Sequence, residues 1–519
     1  MVWVDDTTVI YLNTSNSAIL GGVELWLASI ADFKSGYDDI YLHQPDHFLT
    51  ASPYRYKAAS IPAPLENLKI AVTKSGDINF LLTGKAWANG TAYNENLAAT
   101  PLSSARIYDS LYVRHWDTYV TRQKSTLFSG VLKGNTKKTF NGKLTNLLTG
   151  TKNLETPIPP FGDVWNFDIA QDGQMVAFMS KAPELPQANY TAAYIYLVPF
   201  DGSAVARALN GPISMAAKRY PKALGASQSP TFAPDGRTLA YFQMDGISYE
   251  SDRNKLYIAD LATGDIRGVA HNWDRSPFGI TYSKDGKTIW LAAEEHARSK
   301  IFTISASAGE VATPIAISHE GYVTASYQIG PNTLLASNTS LLQSYGYSIV
   351  DMHGKNPPKV LLDPRVVDPE LEGLTDSQVE EFWFKGNWTD IQGWIIKPAD
   401  FDPKKKYPLA MLFHGGPQGS WANVWSSRWS PAAWAAQGYV IVAINPTGSF
   451  GFGQKLTDAV QNNWGGAPYY DIILGFKHIA ANYPYIDTKN AVAAGASFGG
   501  VCGYQTFSHW NSFTNGINV

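Results

Sequence analysis

Several residue types and patterns are scarce in this sequence, and each scarcity excludes a class of protein. The chain of 519 residues has a single cysteine, Cys502, which excludes an internal disulfide framework and a cysteine-based metal cluster. A formal net charge of -3, without long Lys/Arg runs, leaves no electrostatic footprint for nucleic acid. No apolar run approaches the ~20 residues that cross a bilayer. We therefore expect neither a nucleic-acid partner nor a membrane span.

The sequence is also poor in targeting signals. Its opening segment, MVWVDDTTVIYLN, has neither a basic region nor an apolar run of the length typical of a signal peptide. Asn-x-Ser/Thr sequons occur, but a chain of this composition should contain about five by chance, so they carry no weight. They lie at Asn13, Asn89, Asn189, Asn338 and Asn387.

Residues 1–370 repeat one β pattern, in which a short strand, an Asp-Gly or Ser-Gly turn and an aromatic, β-branched strand follow each other. The turn glycines are Gly76, Gly173, Gly236 and Gly286. Each supplies the positive φ that a hairpin turn needs, and their spacings suit four-stranded blades. The widest spacing, from Gly76 to Gly173, has room for a degenerate blade. The region therefore predicts an N-terminal β-propeller whose first blade is incomplete; the alternative is an irregular sandwich.

Two charged segments in this region could bind a substrate. Residues 249–253 (YESDR) place Glu250, Asp252 and Arg253 at a strand end, and residues 271–277 (HNWDRSP) repeat the Asp-Arg pairing. Such acids could hold the amino terminus of a peptide. Alternatively, the Asp-Arg pairs lock the corners of the blades.

The pattern changes after residue 370. Residues 363–382 are acidic, rich in proline and poor in strand signals, and we interpret them as a short helix with a linker at 371–381. Strands are predicted at 382–385, 391–397 and 409–413, followed by alternating strand and helix: a strand at 438–445, a helix at 469–482 and a strand at 491–496. Such alternation predicts parallel βαβ units in a second domain, residues 382–519.

The last predicted strand ends in the sequence Gly495-Ala-Ser497-Phe-Gly499. Gly-x-Ser-x-Gly is the pattern of a nucleophile elbow, a sharp strand-to-helix turn that exposes a serine hydroxyl above a parallel sheet. Ser497 is therefore the candidate nucleophile. The amide of the next residue, Phe498, can donate to an oxyanion.

A glycine pair follows the predicted strand at 409–413. In α/β-hydrolases the loop after this strand completes the oxyanion hole, and here it reads His414-Gly415-Gly416. Adjacent glycines let backbone amides point inward without hindrance from Cβ. The second donor could be the His414 side chain or the amide of Gly415 or Gly416.

Together these segments resemble the prolyl-oligopeptidase-type serine peptidases, and within them the fungal dipeptidyl-peptidases. The resemblance covers nearly the whole chain to about Gly500. The segments that carry it are YESDR at Tyr249, NWDRSP at Asn272, HGGPQGSW at His414, NPTGSFGFGQ at Asn445, NNWGGAPY at Asn462 and AAGASFGG at Ala493.

The resemblance implies a β-propeller followed by an α/β-hydrolase domain, in a secreted enzyme that needs neither metal nor organic cofactor. The implied reaction releases dipeptides from the amino termini of short peptides through an acyl-enzyme at Ser497. Two alternatives stay open: a non-catalytic propeller fragment that binds peptides or proteins, and an acyl-peptide hydrolase or esterase. The oligomeric state is not predicted.

The residues after Ser497 depart from the family pattern. A hydrolase triad needs an acid and a base after the nucleophile, yet these residues contain no Asp or Glu, and His509 is the only histidine among them. On a continued helix His509 would lie about 18 Å along the axis from Ser497, too far to take its proton. Residues 501–519 are atypical, so we expect an incomplete hydrolase domain, an elbow strand at an open sheet edge, truncation at both ends and no activity as given.

Overall fold

The computed structural model describes residues 1–14, 18–29, 55–100, 102–212, 214–509 and 515–518. The chain divides into two compact units. The first contains Met1–Glu250 and Leu256–Gly268, and the second contains Ser251–Lys255 and Val269–Val519. The predicted domain boundary at 371–381 stays a prediction.

The first unit is built from four-stranded antiparallel sheets with the orders β1-β2-β3-β4, β10-β9-β6-β5, β11-β12-β13-β14 and β15-β16-β17-β18. A separate hairpin pairs β7 with β8, and the unit contains helix α1, Met215–Arg219, and 3-10 turns at Glu95–Leu97 and Val164–Asn166. The strands are β1 Val2–Trp3, β2 Thr8–Asn13, β3 Val23–Ser29, β4 Arg55–Ile61, β5 Glu66–Val72, β6 Ile78–Ala86, β7 Arg114–His115, β8 Thr118–Tyr119, β9 Lys124–Leu132, β10 Thr145–Asn146, β11 Phe167–Ile169, β12 Met175–Lys181, β13 Ala193–Pro199, β14 Arg207–Ala208, β15 Ser227–Phe232, β16 Thr238–Gln243, β17 Lys255–Asp260 and β18 Ile266–Val269.

The predicted hairpin turns are confirmed. Gly76, Gly173, Gly236 and Gly286 have φ values of 78, 72, 69 and 70°. Each amide donates to the carbonyl three residues earlier at 2.8 or 2.9 Å. The sequence pattern therefore gave the turn positions correctly, because a left-handed residue at a tight turn is a local requirement.

The degenerate blade predicted between Gly76 and Gly173 is not formed by the described residues of that segment. Instead β9 pairs with β6 over nine residues, from Lys124 to Leu132, and completes the sheet that β5 and β6 begin. The intervening segment is an insertion that carries the β7–β8 hairpin. The first sheet, predicted to be incomplete, has four strands, of which β1 is two residues long.

The second unit contains two sheets. One has eight strands in two groups of four, β19–β22 and β23–β26, and the pairing within each group is antiparallel. The two groups are joined where Ser299 of β21 pairs in parallel with Tyr322 of β23. The other is a mixed sheet of six strands in the order β27-β28-β30-β29-β31-β32. The strands are β19 Pro277–Tyr282, β20 Thr288–Glu295, β21 Arg298–Ser305, β22 Ile315–Ala316, β23 Tyr322–Gly330, β24 Thr333–Ser340, β25 Gln343–Asp351, β26 Lys359–Leu362, β27 Val379–Lys385, β28 Asp390–Ile396, β29 Tyr407–Phe413, β30 Val440–Asn445, β31 Ile486–Gly495 and β32 Asn515–Asn518.

The helices of the second unit separate these strands. They are α2 Pro364–Val367, α3 Pro431–Ala435, α4 Gln454–Asp458, α5 Ala467–Asn482 and α6 Phe498–His509, with 3-10 turns at Pro369–Leu371 and Asp376–Gln378. The short helix predicted in the linker and the strands and long helix predicted after it are confirmed, with ends that shift by a few residues. None of the described helices is long and apolar enough to cross a membrane.

Strand β29 lies in the middle of the mixed sheet. It pairs in parallel with β30 on one side and with β31 on the other. Its residues Leu409 and Met411 are fully buried, as are Val442 of β30 and Ala493 of β31. A strand that is buried on both faces has a continuous apolar sequence, and this pattern predicted β29.

The expectation that the elbow strand lies at an open sheet edge is wrong. Strand β32 pairs in parallel with β31, from Val492 opposite Asn515 to Gly495 opposite Asn518. The segment 515–518 satisfies backbone groups of β31 that would otherwise be unpaired, so the elbow strand is the second strand from the edge.

Candidate active site

The turn around Ser497 has the geometry of a nucleophile elbow. Strand β31 ends at Gly495 and helix α6 begins at Phe498, so Ser497 lies in the turn, with φ 57° and an exposed side chain. A Cβ on Gly495 would lie 2.5 Å from the carbonyl oxygen of Gly499, and a Cβ on Gly499 would overlap the carbonyl oxygen of Phe413. Glycine is therefore required at both positions for space.

The glycine loop after β29 lies against the elbow. A Cβ on Gly415 would be 3.6 Å from Cβ and 4.0 Å from Oγ of Ser497, and 3.4 Å from the carbonyl oxygen of Ala496. The two segments that the sequence singled out, separated by more than 80 residues, thus lie side by side. This proximity follows from the sheet order, since β29 and β31 are neighbouring parallel strands whose carboxyl ends meet at one edge.

The His414 ring is largely buried within its own loop. Its Nδ1 lies 2.8 Å from the carbonyl oxygen of Gly415, and its Nε2 lies 3.0 Å from Oγ of Ser449. Because a carbonyl can only accept, Nδ1 carries the hydrogen. Burial lowers the pKa of His414, and the Ser449 hydroxyl beside Nε2 donates to the Pro446 carbonyl at 2.7 Å. Both ring nitrogens are therefore engaged in holding the loop.

Three amides near Ser497 are left without a backbone acceptor. Those of Gly415, Gly416 and Phe498 donate no backbone hydrogen bond to any residue in the described parts of the chain. Amides of this kind beside an exposed hydroxyl can stabilise negative charge on an oxygen bound there. The Phe498 side chain is buried and packs edge-on against Trp464, with ring centroids 5.7 Å apart.

A second loop, after β30, braces the first. The Phe450 amide donates to the Gly419 carbonyl at 2.8 Å, and the Trp421 amide donates to Oδ1 of Asn445 at 2.7 Å. Sequence reasoning gave Asn445 and Ser449 no role of their own. Their position after a predicted strand could have indicated a role, because a segment that follows a buried parallel strand lies at the same sheet edge as the neighbouring loops.

The charged segments 251–253 and 271–277 meet at the start of helix α4. Oδ1 of Asp274 accepts from the Gln454 amide at 2.9 Å, and the Gln454 side chain donates to the Ser251 carbonyl at 2.8 Å. The Arg253 guanidinium donates to the carbonyls of His271 and Trp273. Arg253 and Asp274 thus bond to backbone groups of neighbouring segments.

The acids of YESDR have different surroundings. Oδ1 of Asp252 accepts from the Arg253 amide at 2.7 Å. Glu250 is exposed and belongs to the first unit. Burial lowers the pKa of Lys181 in that unit, and the negative charge of Glu250 opposes this effect.

The chemistry of the site depends on which described groups are hydrogen-bonded to the Ser497 hydroxyl and on whether metal-ligating side chains cluster. No described histidine or carboxylate is hydrogen-bonded to the Ser497 hydroxyl. Helix α6 runs without interruption for 12 residues to His509, which corresponds to a length of about 18 Å. Across the described ranges, no three His, Cys, Asp or Glu side chains cluster as metal ligands.

A serine nucleophile elbow beside a glycine loop, on a mixed sheet that follows four-stranded antiparallel sheets, is the architecture of a propeller-bearing serine hydrolase. Residues 425–518 match the model of the prolyl oligopeptidase family. The chain is 48% identical over 506 residues to a probable dipeptidyl-peptidase 5 of Aspergillus clavatus, covering 96% of this chain and 67% of the relative. It is 47% identical over 504 residues to the dipeptidyl-peptidase 5 of Aspergillus fumigatus, with the same coverage. The chain belongs to the prolyl oligopeptidase family of serine peptidases.

Solved structures show the same fold. The acylaminoacyl peptidase of Pyrococcus horikoshii superposes with a TM-score of 0.68 at 15% identity, over 99% of this chain and 68% of that one. The dipeptidyl peptidase 4 of Porphyromonas gingivalis gives a TM-score of 0.51 at 16% identity, over 95% and 65%. The predicted fold class, a β-propeller followed by an α/β-hydrolase fold, is confirmed.

Proposed function

We propose that the chain is a serine-type dipeptidyl-peptidase, which releases dipeptides from the amino termini of short peptides. The observation that carries this proposal is the proximity of Gly415 to Ser497, since a Cβ built on Gly415 would be 3.6 Å from Cβ of Ser497. This proximity supports the proposal that one carbonyl group could reach both the hydroxyl and the amides of the glycine loop. The printed names of the relatives, dipeptidyl-peptidases, support the choice of reaction.

In the proposed reaction Oγ of Ser497 attacks the carbonyl carbon of the second residue of the peptide. The oxyanion accepts hydrogen bonds from the Phe498 amide and from amides of the Gly415–Gly416 segment, while the His414 side chain keeps that segment in place. The C–N bond breaks, the amine leaves with a proton, and water hydrolyses the acyl-enzyme to release the dipeptide.

Proton transfer from Ser497 needs a base. Because no described histidine or carboxylate contacts the hydroxyl, we propose that the 519-residue polypeptide has no turnover as given and reacts only with a base supplied from solution. Imidazole is a suitable base, since it has the chemistry of the triad histidine.

The remaining assignments belong to the same proposal. Glu250 and Asp252 have the charge to bind the ammonium group of a peptide's amino terminus, with Arg253 beside them. Residues 1–370 form the propeller domain and 382–519 the hydrolase domain. The family resemblance supports secretion.

The test uses two phosphonate probes that phosphonylate activated serines with loss of their leaving group, one with a free dipeptidyl amino terminus and one acetylated there. With imidazole present, we expect labelling of Ser497, with the free probe reacting about tenfold faster. The matched control is Ser497→Ala, which should not be labelled. Equal rates for the two probes would indicate an acyl-peptide hydrolase or esterase instead. The absence of labelling with imidazole would contradict the proposed function.

A further inference from the structure

Ser420, at the end of the glycine loop, is tied to a strand of the eight-stranded sheet in the same unit. Its hydroxyl donates to Oε2 of Glu294, on β20, at 2.9 Å. The other carboxylate oxygen, Oε1, accepts from the hydroxyl of Tyr322, on β23, at 3.2 Å. One carboxylate thus connects β20 and β23, the two strands on either side of β21, with the loop that lies beside Ser497.

The surroundings of Glu294 make these hydrogen bonds important. Burial raises the pKa of Glu294, and the two hydroxyl donors oppose that effect. No Lys, Arg or His is paired with Glu294 within the described ranges, whereas its neighbour in the strand has two such partners. Glu295 pairs with Arg275 at 3.1 Å and with Lys300 at 2.8 Å. A buried carboxylate without a cation depends on its hydrogen-bond donors, so Ser420 is held firmly.

The loop is held on its other side by the segment that follows β30. The Phe450 amide donates to the Gly419 carbonyl at 2.8 Å, and the His296 amide donates to the Gly451 carbonyl at 3.0 Å. A Cβ on Gly451 would lie 3.3 Å from Cβ of Glu294, so this segment also packs on β20. The loop, the segment and the strand therefore form one hydrogen-bonded assembly.

Gly419 links this assembly to the elbow. A Cβ on Gly419 would be 3.0 Å from the carbonyl oxygen of Gly415, the residue that lies against Ser497. Gly419 and Gly415 are thus close neighbours within the loop, and the chain from Ser420 through Gly419 can carry a displacement to Gly415.

We propose that Glu294 is a positioning residue, which acts through Ser420 to fix the 414–420 loop so that Gly415 stays in contact with Ser497. It does not touch the reacting atoms. The catalytic purpose of the loop rests on the proposed function. The hydrogen bond that ties Ser420 to Glu294, which we call the clamp, can be measured without catalysis.

Hydrogen–deuterium exchange of the full chain tests the clamp directly. In Glu294→Ala and in Ser420→Ala we expect the amides of residues 414–421 to exchange about tenfold faster, because the hydrogen bond between these two side chains is lost. Peptides from β20, β23 and β31 should change less than twofold. A role in general stability would instead raise exchange across all of these strands.

Conservative variants and a matched control sharpen the test. Ser420→Thr keeps a hydroxyl and Glu294→Gln keeps an acceptor oxygen, so both should restore loop exchange to within about twofold of the wild type. Glu295→Ala removes the adjacent carboxylate, which contacts Arg275 and Lys300 but not the loop. It should leave loop exchange unchanged.

The outcomes separate this inference from the proposed function. Unchanged exchange at 414–421 in folded Ser420→Ala would overturn the positioning role, and that variant decides the question if Glu294→Ala does not fold. A lack of Ser497 labelling would overturn the proposed function and leave the exchange result valid for the clamp.

Discussion

The hairpin turn at Gly236 and the elbow around Ser497 both need glycine, but for different physical reasons. Gly236 has φ 69° and nothing within 4 Å of a Cβ added to it, so only its backbone conformation excludes other residues. Gly495 and Gly499 have no positive φ, and instead the space for a Cβ is filled by backbone atoms. The first requirement is local, whereas the second comes from packing a helix against the end of a neighbouring strand.

The largest effect should come from Gly499→Ala. In a helix without crowding, alanine is more stable than glycine by about 0.5–1 kcal/mol. Here the added Cβ overlaps the Phe413 carbonyl, so we expect a loss of about 3 kcal/mol in the mixed sheet. Denaturant-dependent hydrogen exchange of peptides from β29 and β31 measures it. A stabilising result would show that the space argument is wrong.

Gly495→Ala should have the next largest effect, a loss of about 2 kcal/mol by the same measurement. Its Cβ would meet the carbonyl of Gly499 at 2.5 Å, and the first turn of α6 can move to relieve part of that overlap. The matched control is Gly438→Ala in the same unit, where φ is 85° and no atom lies within 4 Å. If Gly438→Ala loses more stability than Gly495→Ala, the penalty for a left-handed backbone at Gly438 exceeds the penalty for crowding at Gly495.

Replacing Ser497 tests the conformational part of the elbow alone. A non-glycine residue at φ 57° is strained by about 1 kcal/mol, so Ser497→Gly should be more stable than Ser497→Ala by about that amount. Both variants lack the hydroxyl, which makes them a matched pair. Urea unfolding of the two proteins, followed by exchange at β31, gives the difference. Equal stabilities would mean that the turn is not strained.

The smallest effects are expected at the open hairpin turn. Gly236→Ala should lose about 1 kcal/mol, since only the left-handed conformation is penalised, and Gly236→Asn should lose less than half of that because asparagine tolerates this region. Exchange in β15 and β16 reports both values. A larger loss for asparagine than for alanine would point to crowding at this turn.

The same distinction explains what sequence could predict. The turns at Gly173 and Gly236, the elbow and the apolar strand β29 carry their signals in a few neighbouring residues. The bonds from Ser420 to Glu294 and from Ser449 to His414 join residues that are distant in the chain, and no local pattern encodes them. The pairing of β32 was missed because four residues without strong periodicity give no strand signal.

The strand order of the mixed sheet also bears on how the chain is synthesised. Strand β29 pairs with β30 and β31, both of which follow it in sequence, and it has no earlier partner. At about 5–20 residues per second, its second neighbour is completed roughly 4–16 s after β29 itself. Throughout that interval a nascent chain carries an apolar segment with at least one unpaired edge. This is a window in which a ribosome-associated chaperone would find its binding site.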